Sequence, residues 1–364
     1  MVFPFTGIGQ YTKNLFAELA LKDKSNTYVL VVPSEVYKEI RESFPKNVEI
    51  KILPEKNFPS PGMRKTWWEQ ILLPAFFEKE KVDIAFFTYP SNPWDKKWYK
   101  KGIKTAVTVH DCIPWMDKNY RRGVLSKMYH SKTKKAVSLA DIVFTVSKSS
   151  AKDILNVCKV EKSKIKIAYN DAPQTYKDPL PVKYVDEVLR KFGLERAGYI
   201  LYAGGYDKRK NVDLLLTEHG KFGKVPLVLA GGKLHEDSLY ESFDSESEEN
   251  VIRTGFLAEK DLAALYHGAL AFINLSGREG FNITILEAAN CGTPMILSDI
   301  PVHREVAGES ALFVDISREG AVAEAMEKIM DKKLRIQLAK RGAELAEKYS
   351  FKKSAQKVKN VLFS

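Results

Sequence analysis

The chain is poor in cysteine, with Cys112, Cys158 and Cys291 as the three thiols in 364 residues. Their odd number and irregular spacing exclude a disulfide framework and the usual zinc or paired-cysteine redox motifs, so reduced cytosolic thiols are expected. No run approaches the ~20 apolar residues of a membrane span. The opening residues lack the charged-then-apolar pattern of a secretory signal. Zinc-finger spacing, arginine-rich tracts and RNA-binding aromatic motifs are missing too, and nucleic acid is not an expected partner.

What is present is ordinary in amount and uneven in placement. Hydrophobic residues make up 45% and charged residues 28%, the mix of a globular protein, and the length predicts about two domains. Residues 1–180 carry 31 Lys+Arg against 19 Asp+Glu, whereas the rest carries 26 against 27. A basic first half suggests a domain facing something anionic, such as phospholipid headgroups or a lipid-linked pyrophosphate acceptor. A generally lysine-rich surface with no partner is the plainer alternative.

Apolar runs at 27–33, 48–54, 82–89, 104–111, 141–147 and 164–170 alternate with helix-like segments, the rhythm of a parallel α/β sheet. The second half repeats it at 199–203, 225–230, 251–254, 270–275, 294–298 and 311–314. Between them 171–181, rich in proline, reads as a stiff linker. The segment Arg64-Lys-Thr-Trp-Trp-Glu-Gln-Ile-Leu-Leu-Pro74 fits either a helix packed on the sheet or a membrane-interface helix. The serine-rich acidic stretch 236–250 reads as solvated surface. At the start, Gly7 and Gly9 read as a loop feeding an amphipathic helix from about Gln10 to Ala20. So few residues precede that loop that the first strand is expected to be very short, or the chain to start inside a longer domain.

The most informative stretch is Ser276-Gly-Arg-Glu-Gly-Phe-Asn-Ile-Thr-Ile-Leu-Glu287, running on to Gly292-Thr-Pro294. A buried strand, a glycine loop and a helix N-terminus, with Asn282 as its expected cap, make an anion site. Glu279 and Glu287 bracket it. Acids beside a phosphate site favour a polyhydroxylated partner, and a nucleotide sugar combines both properties. Gly204-Gly-Tyr-Asp-Lys-Arg209-Lys210-Asn211 is a second strand-end turn, whose cations suit a diphosphate. Gly255 and Phe256 end another strand, where backbone groups could hold a base. In the first half His110-Asp111 ends a strand, and open α/β sheets bind ligands beyond such ends. The aromatic loop at Pro90 to Trp94, with Trp98, is a natural acceptor-contact region or a structural turn.

The Glu279-Gly-Phe-Asn…Glu287-Ala-Ala-Asn-Cys-Gly-Thr-Pro block resembles the signature of the retaining glycosyltransferases of family 4, which have the GT-B fold. Agreement extends through Gly7-Ile-Gly-Gln-Tyr11, His110-Asp111, Val146-Ser-Lys-Ser149, Arg209-Lys-Asn211, Gly255-Phe256 and Ser298-Asp-Ile-Pro301. The Trp68-Glu-Gln…Leu-Leu-Pro74 and His-Asp-Cys-Ile-Pro114 segments resemble the mannosyltransferase-like branch that builds surface polysaccharides. The resemblance implies two Rossmann-like doubly wound domains facing across a cleft, an acceptor-side domain at 1–175 and a donor domain at 182–345. A helix at 346–364 is expected to cross back to the first.

For the site, the resemblance implies diphosphate against Arg209, Lys210 and the backbone near Gly280, Phe281, Asn282 and Ile283, with Gly204 at the turn. Glu287 is placed on the ribose hydroxyls and Glu279 on the donor sugar. His110 is placed on the sugar from the opposite domain, and Gly7–Gly9 near the phosphates or acceptor. It implies hexose transfer, foremost mannose from GDP-mannose, to a glycan or lipid-linked acceptor at the cytoplasmic membrane surface. No Asp-x-Asp pair occurs, so no metal or other cofactor is expected. Two positions depart from the pattern: Gly205 stands where an arginine is common, and Asn282 where a small residue is common. A GT-B phosphorylase, a nucleotide-sugar epimerase and a degenerate nucleotide-sugar-binding protein are the alternatives.

Overall fold

The computed structural model describes residues 7–34, 36–37, 44–54, 56, 58–121, 123–232 and 250–364. The expected short first strand, ahead of Gly7, and all but the last residue of the acidic stretch lie outside them. The chain divides into two compact units, Met1–Asn170 with Ser350–Ser364, and Asp171–Tyr349.

Among the described residues, the first element of the first unit is α1 (Gly7–Lys22). The glycines expected to form a loop are therefore in the first turn of the helix, with Gly9 buried. The apolar face of α1 (Tyr11, Leu15, Phe16, Leu19) extends far enough back for the helix to include them. Strands β1 (Tyr28–Val32) and β2 (Val48–Ile52) pair in parallel. Strands β3 (Ile84–Phe87), β4 (Lys104–Val109), β5 (Ile142–Thr145) and β6 (Ile165–Ile167) form a second parallel sheet in that order. The aromatic helix is used in the core. Its first part, α2 (Pro61–Trp67), runs through a π turn at Trp68–Leu72 into α3 (Leu73–Lys79). Trp68 and Leu73 are buried, and the Trp68 indole donates to the Leu53 carbonyl at 3.2 Å. The loop that follows β3 is internally braced, with Trp98 buried and the Trp94 amide donating to Gln70 Oε1 at 2.9 Å. The C-terminal helix Phe351–Leu362 packs on α1, with Ser354 donating to the Tyr169 carbonyl at 2.6 Å. No helix among the described residues is long and apolar enough to cross a membrane.

The second unit is one six-stranded parallel sheet: β7 (Ile200–Ala203), β8 (Leu227–Ala230), β9 (Val251–Gly255), β10 (Ala271–Asn274), β11 (Met295–Ser298) and β12 (Ala311–Val314). Spatially they run β12-β11-β10-β7-β8-β9. Strands β7, β8, β10 and β11 are buried at every position, which explains their uninterrupted apolar runs. The order reverses between β7 and β10, so the loops leaving these two neighbours turn to opposite faces and open a crevice. The stretch 171–181, expected as a linker, is instead folded into this unit. Its Tyr176 is buried, edge-on to Tyr266 at 5.8 Å, and Lys177 pairs with buried Asp171. One aromatic anchor ties this proline-stiffened stretch, which starts at the boundary between the units, to the second unit.

Where β7 and β8 end, two backbones nearly touch. The Gly204 amide donates to the Ala230 carbonyl at 2.9 Å, and Gly231 follows with φ of 117°. A Cβ on Gly231 would lie 2.3 Å from the Gly204 oxygen. Gly231→Ala is therefore expected to lower stability by about 2–4 kcal/mol. Gly220→Ala, where a Cβ has open space, should leave it unchanged or slightly raised. Thermal melts of both proteins check this, and equal midpoints would contradict the clash.

Candidate active site

The crevice of the second unit is built from the two loops that leave β7 and β10. They are fastened to each other by backbone: the Gly277 amide donates to the Arg209 carbonyl at 2.7 Å, and Asn211 Nδ2 to the Leu275 carbonyl at 2.8 Å. Asn211 takes the left-handed conformation, φ 52°, which an Asn tolerates and which turns the chain into helix α4 (Val212–Phe222). Between these fastenings lies Glu279. Its Oε2 is 2.7 Å from Arg209 Nη1, and its Oε1 accepts from Lys210 Nζ. Arg209 also donates to the Arg278 carbonyl at 3.0 Å, so the guanidinium spans both loops.

The surroundings drive the two carboxyls apart. Burial by itself would raise Glu279, but the Lys210 and Arg209 charges outweigh it and hold the carboxyl near about 2. Glu287 sits in α5 (Thr284–Asn290), where burial raises it to about 7 against the hydrogen bond from Tyr266 Oη at 3.1 Å. At neutral pH Glu279 is a fixed anion, and Glu287 is poised between its two states.

Asn282 does not cap the helix with its side chain. Its φ of 71° is left-handed, and Ile283 occupies the position before α5. Instead Asn282 Nδ2 donates to His303 Nε2 at 2.8 Å, and its Oδ1 accepts from Thr284 at 2.7 Å. His303 is buried in α6 (Pro301–Ala307), and its Nδ1 donates to the Ser298 carbonyl at 3.0 Å. Ser298 Oγ in turn donates to the Ser276 carbonyl at 2.5 Å. Both ring nitrogens are thus assigned in one neutral tautomer, and burial lowers the imidazole to about 4. This chain fixes the Ser276–Asn282 loop from behind. Sequence reasoning missed His303 and Tyr266. The only signal for His303 was a lone histidine shortly after the Ser298-Asp-Ile-Pro301 turn, and Tyr266 gave none.

Of the residues singled out by sequence, the crevice brings together Gly204, Arg209, Lys210, Glu279, Gly280, Phe281, Asn282 and Ile283, with Glu287 just inside α5. The Phe281 ring is buried and packs edge-on to Tyr349 at 5.6 Å. Gly255 and Phe256 end β9 on the far side of β8; Gly255 accepts from the Gly231 amide at 2.9 Å, and the Phe256 ring is exposed. Gly7, Gly9 and His110 belong to the first unit. His110 Nε2 donates to the Thr88 carbonyl at 2.9 Å, and Tyr11 packs edge-on at 4.7 Å. Burial lowers the imidazole to about 4, which leaves Nδ1 of a neutral ring as a hydroxyl acceptor. Asp111 is used locally, accepting from the Ile113 amide at 2.8 Å. Among the described residues no cluster of His, Cys, Asp and Glu is arranged to hold a metal.

Two family models match the chain: Glycosyltransferase Family 4 over residues 5–170, and Glycosyl transferases group 1 over 186–348. The chain belongs to the family 4 glycosyltransferases. Among curated relatives, O-antigen chain mannosyltransferase B of Escherichia coli is 27% identical over 261 residues, 68% of this chain and 67% of its own length. O-antigen chain mannosyltransferase RfbU of Salmonella typhimurium is 28% identical over 228 residues, covering 62% of this chain and 60% of that one. The chain matches only 27% of the length of the Escherichia coli mannosyltransferase WbdA. Among solved structures, Anabaena HepE in complex with UDP and glucose superposes with a TM-score of 0.73 at 13% identity, over 99% of this chain and 96% of that one. WaaG, a glycosyltransferase of lipopolysaccharide biosynthesis, gives 0.74 at 14%, with the same coverage. The fold of this glycosyltransferase is GT-B.

The raised Glu287 has a stability cost whose sign is fixed. The folded carboxyl keeps its proton up to about 7, whereas an unfolded glutamate loses it near its ordinary 4.5. Native stability is thus eroded as pH rises from about 4.5 to 7, and the full cost is present above that window. Glu287→Gln is expected to gain on the order of 2–3 kcal/mol at pH 8 relative to its difference from wild type at pH 4. Denaturant titrations at both pH values measure this, and a gap independent of pH would refute the buried-carboxyl reading.

Proposed function

We propose that this protein transfers a hexose, mannose from GDP-mannose, to a glycan or lipid-linked acceptor, with retention of anomeric configuration and without a divalent metal. The observation that carries the proposal is Glu279 held between Arg209 and Lys210 across two fastened loops. Two cations confined beside a backbone turn suit a diphosphate, the part common to every nucleoside-diphosphate sugar. As the diphosphate takes up the cations, the ionised Glu279 is left to accept hydrogen bonds from sugar hydroxyls. Gly204 lets the β7 turn pass close to the phosphates, and the backbone at Gly280, Phe281, Asn282 and Ile283 lines the other side.

Glu287, which accepts from Tyr266, takes the role of acceptor for ribose hydroxyls in this reading. Gly255 and the exposed Phe256 ring are assigned to the base. In the first unit, the free acceptor on His110 suits a sugar hydroxyl. GDP-mannose and a surface-polysaccharide acceptor are favoured by the mannosyltransferase relatives, and UDP in the HepE complex supports a nucleotide as the ligand class. The basic first half suits an anionic lipid-linked acceptor, or an anionic membrane surface on the cytoplasmic side.

Incubation with GDP-mannose and a mannosylated acceptor, in EDTA, is expected to give product with the donor's anomeric configuration by NMR. Glu279→Gln should cut transfer on the order of 100-fold with the fold intact. For Lys210→Ala the loss should appear as a roughly 10–150-fold weaker donor affinity, since one charge-assisted contact is worth about 1.5–3 kcal/mol. Wild-type rates for the first variant would remove Glu279 from the chemistry, and unchanged nucleotide affinity for the second would remove Lys210 from the diphosphate. Binding of GDP-mannose with neither transfer nor hydrolysis would instead favour a degenerate binding protein.

A further inference from the structure

The Trp68-Glu-Gln segment, conspicuous in the sequence, has no part in the chemistry proposed so far. It opens the π turn between α2 and α3. Such turns widen a helix by one residue and are rare enough to call for a reason. Here three successive side chains each hold a different neighbour. Trp68 donates to the Leu53 carbonyl. Glu69 is fully buried, and its two oxygens accept from two phenols, Oε1 from Tyr89 Oη at 2.7 Å and Oε2 from Tyr129 Oη at 2.8 Å. Gln70 Oε1 accepts from the Trp94 amide at 2.9 Å, and its Nε2 donates to the Ser91 carbonyl at 3.4 Å. Lys65 Nζ lies 3.8 Å from Glu69 and 5.4 Å from the ring centres of both tyrosines.

A stable core does not ask for this arrangement. A carboxylate taken out of water is costly, and an apolar side chain of similar volume fills such a space at lower cost. What the carboxylate adds is direction, because it accepts from two hydroxyls at fixed points. Burial, with Glu69 beside them, pushes both phenols up, so each keeps its proton as a donor. Tyr129 belongs to the helix Val124–Leu139, whereas Tyr89, Ser91 and Trp94 belong to one loop, 88–94, that leaves the carboxyl end of β3.

That loop begins at the partner of His110. The Thr88 carbonyl, which accepts from His110 Nε2 at 2.9 Å, shares a rigid peptide plane with the Tyr89 amide. A displacement of Tyr89 therefore turns the carbonyl and, with it, the imidazole. We propose that Glu69 and Gln70 are positioning residues for His110: by pinning Tyr89, Ser91 and Trp94 they fix the Thr88 carbonyl, and the carbonyl holds the ring with Nδ1 left for a sugar hydroxyl. The task of His110 is the one that sugar transfer gives it, whereas the connection from Glu69 to the ring stands on hydrogen bonds alone.

Two measurements separate these parts. Tyr89→Phe and Glu69→Gln each loosen the pin and keep the ring or the side-chain volume in place. In protein carrying isotope-labelled histidine, both changes are expected to shift the NMR signals of the His110 ring nitrogens, assigned with His110→Gln, and to leave those of His303 where they are. With GDP-mannose and octyl α-mannoside as substrates, Tyr89→Phe should lower kcat about tenfold, with unchanged affinity for GDP, which lacks the sugar. In a His110→Gln background the same change should cost less than about twofold, since residues that act through one another are not additive. Unmoved His110 nitrogens in both variants would overturn the proposal, and so would losses that multiply in the double variant. Should Glu69→Gln fail to fold, Tyr89→Phe carries the test. Absence of transfer by the wild type would count against sugar transfer to this acceptor, and the nitrogen shifts would then decide the positioning by themselves.

Discussion

The second unit depends on one buried ion cluster. Glu279 sits in a loop leaving β10, Arg209 and Lys210 in a loop leaving β7, and neither loop has a long helix or a strand to define it at that point. Their charges compensate one another in a largely desolvated place, so removing one partner leaves the others exposed to the full penalty of burial. The pairing therefore fixes the crevice and also holds in place the two cations and the carboxylate that the proposed diphosphate and sugar would meet. Fixed charge that does not have to reorganise is what makes such a site effective.

Behind that cluster, neutral hydrogen bonds do the positioning. Asn282, in a conformation few residues accept, spends both ends of its amide on Thr284 and His303, and His303 passes the constraint to Ser298 and Ser276. A charged imidazole could not accept from Asn282, and burial keeps it neutral. The same logic appears in the first unit, where His110 donates to Thr88 and presents its other nitrogen. Two histidines are held neutral by burial, one as a strut and the other with an acceptor to offer.

Sequence legibility follows the range of the interaction. Each apolar run read as a strand forms one, although only β5, β7, β8, β10 and β11 are buried at every position. Arg209, Lys210, Glu279 and Asn282 were found because glycine turns at strand ends are local features. Tyr266 and His303 were not: one donates from a helix on the sheet's flank, the other from the helix after β11, and both look like core residues until the chain is folded. The stretch 171–181 failed for a similar reason. Its prolines are visible, but the burial of Tyr176 against Tyr266 comes from residues far along the chain. Gly7 and Gly9 misled because glycine permits a loop without demanding one.

By itself the sequence determined the parallel α/β architecture, the twofold repetition of its rhythm and the family to which it belongs. These rest on hydrophobic period and on motifs whose members are neighbours in the chain. Only the tertiary structure decided the protonation preferences of Glu279 and Glu287 and the part played by His303. Each of those depends on desolvation and on which groups meet. Burial and pairing belong to positions in space, and a linear pattern carries no measure of either.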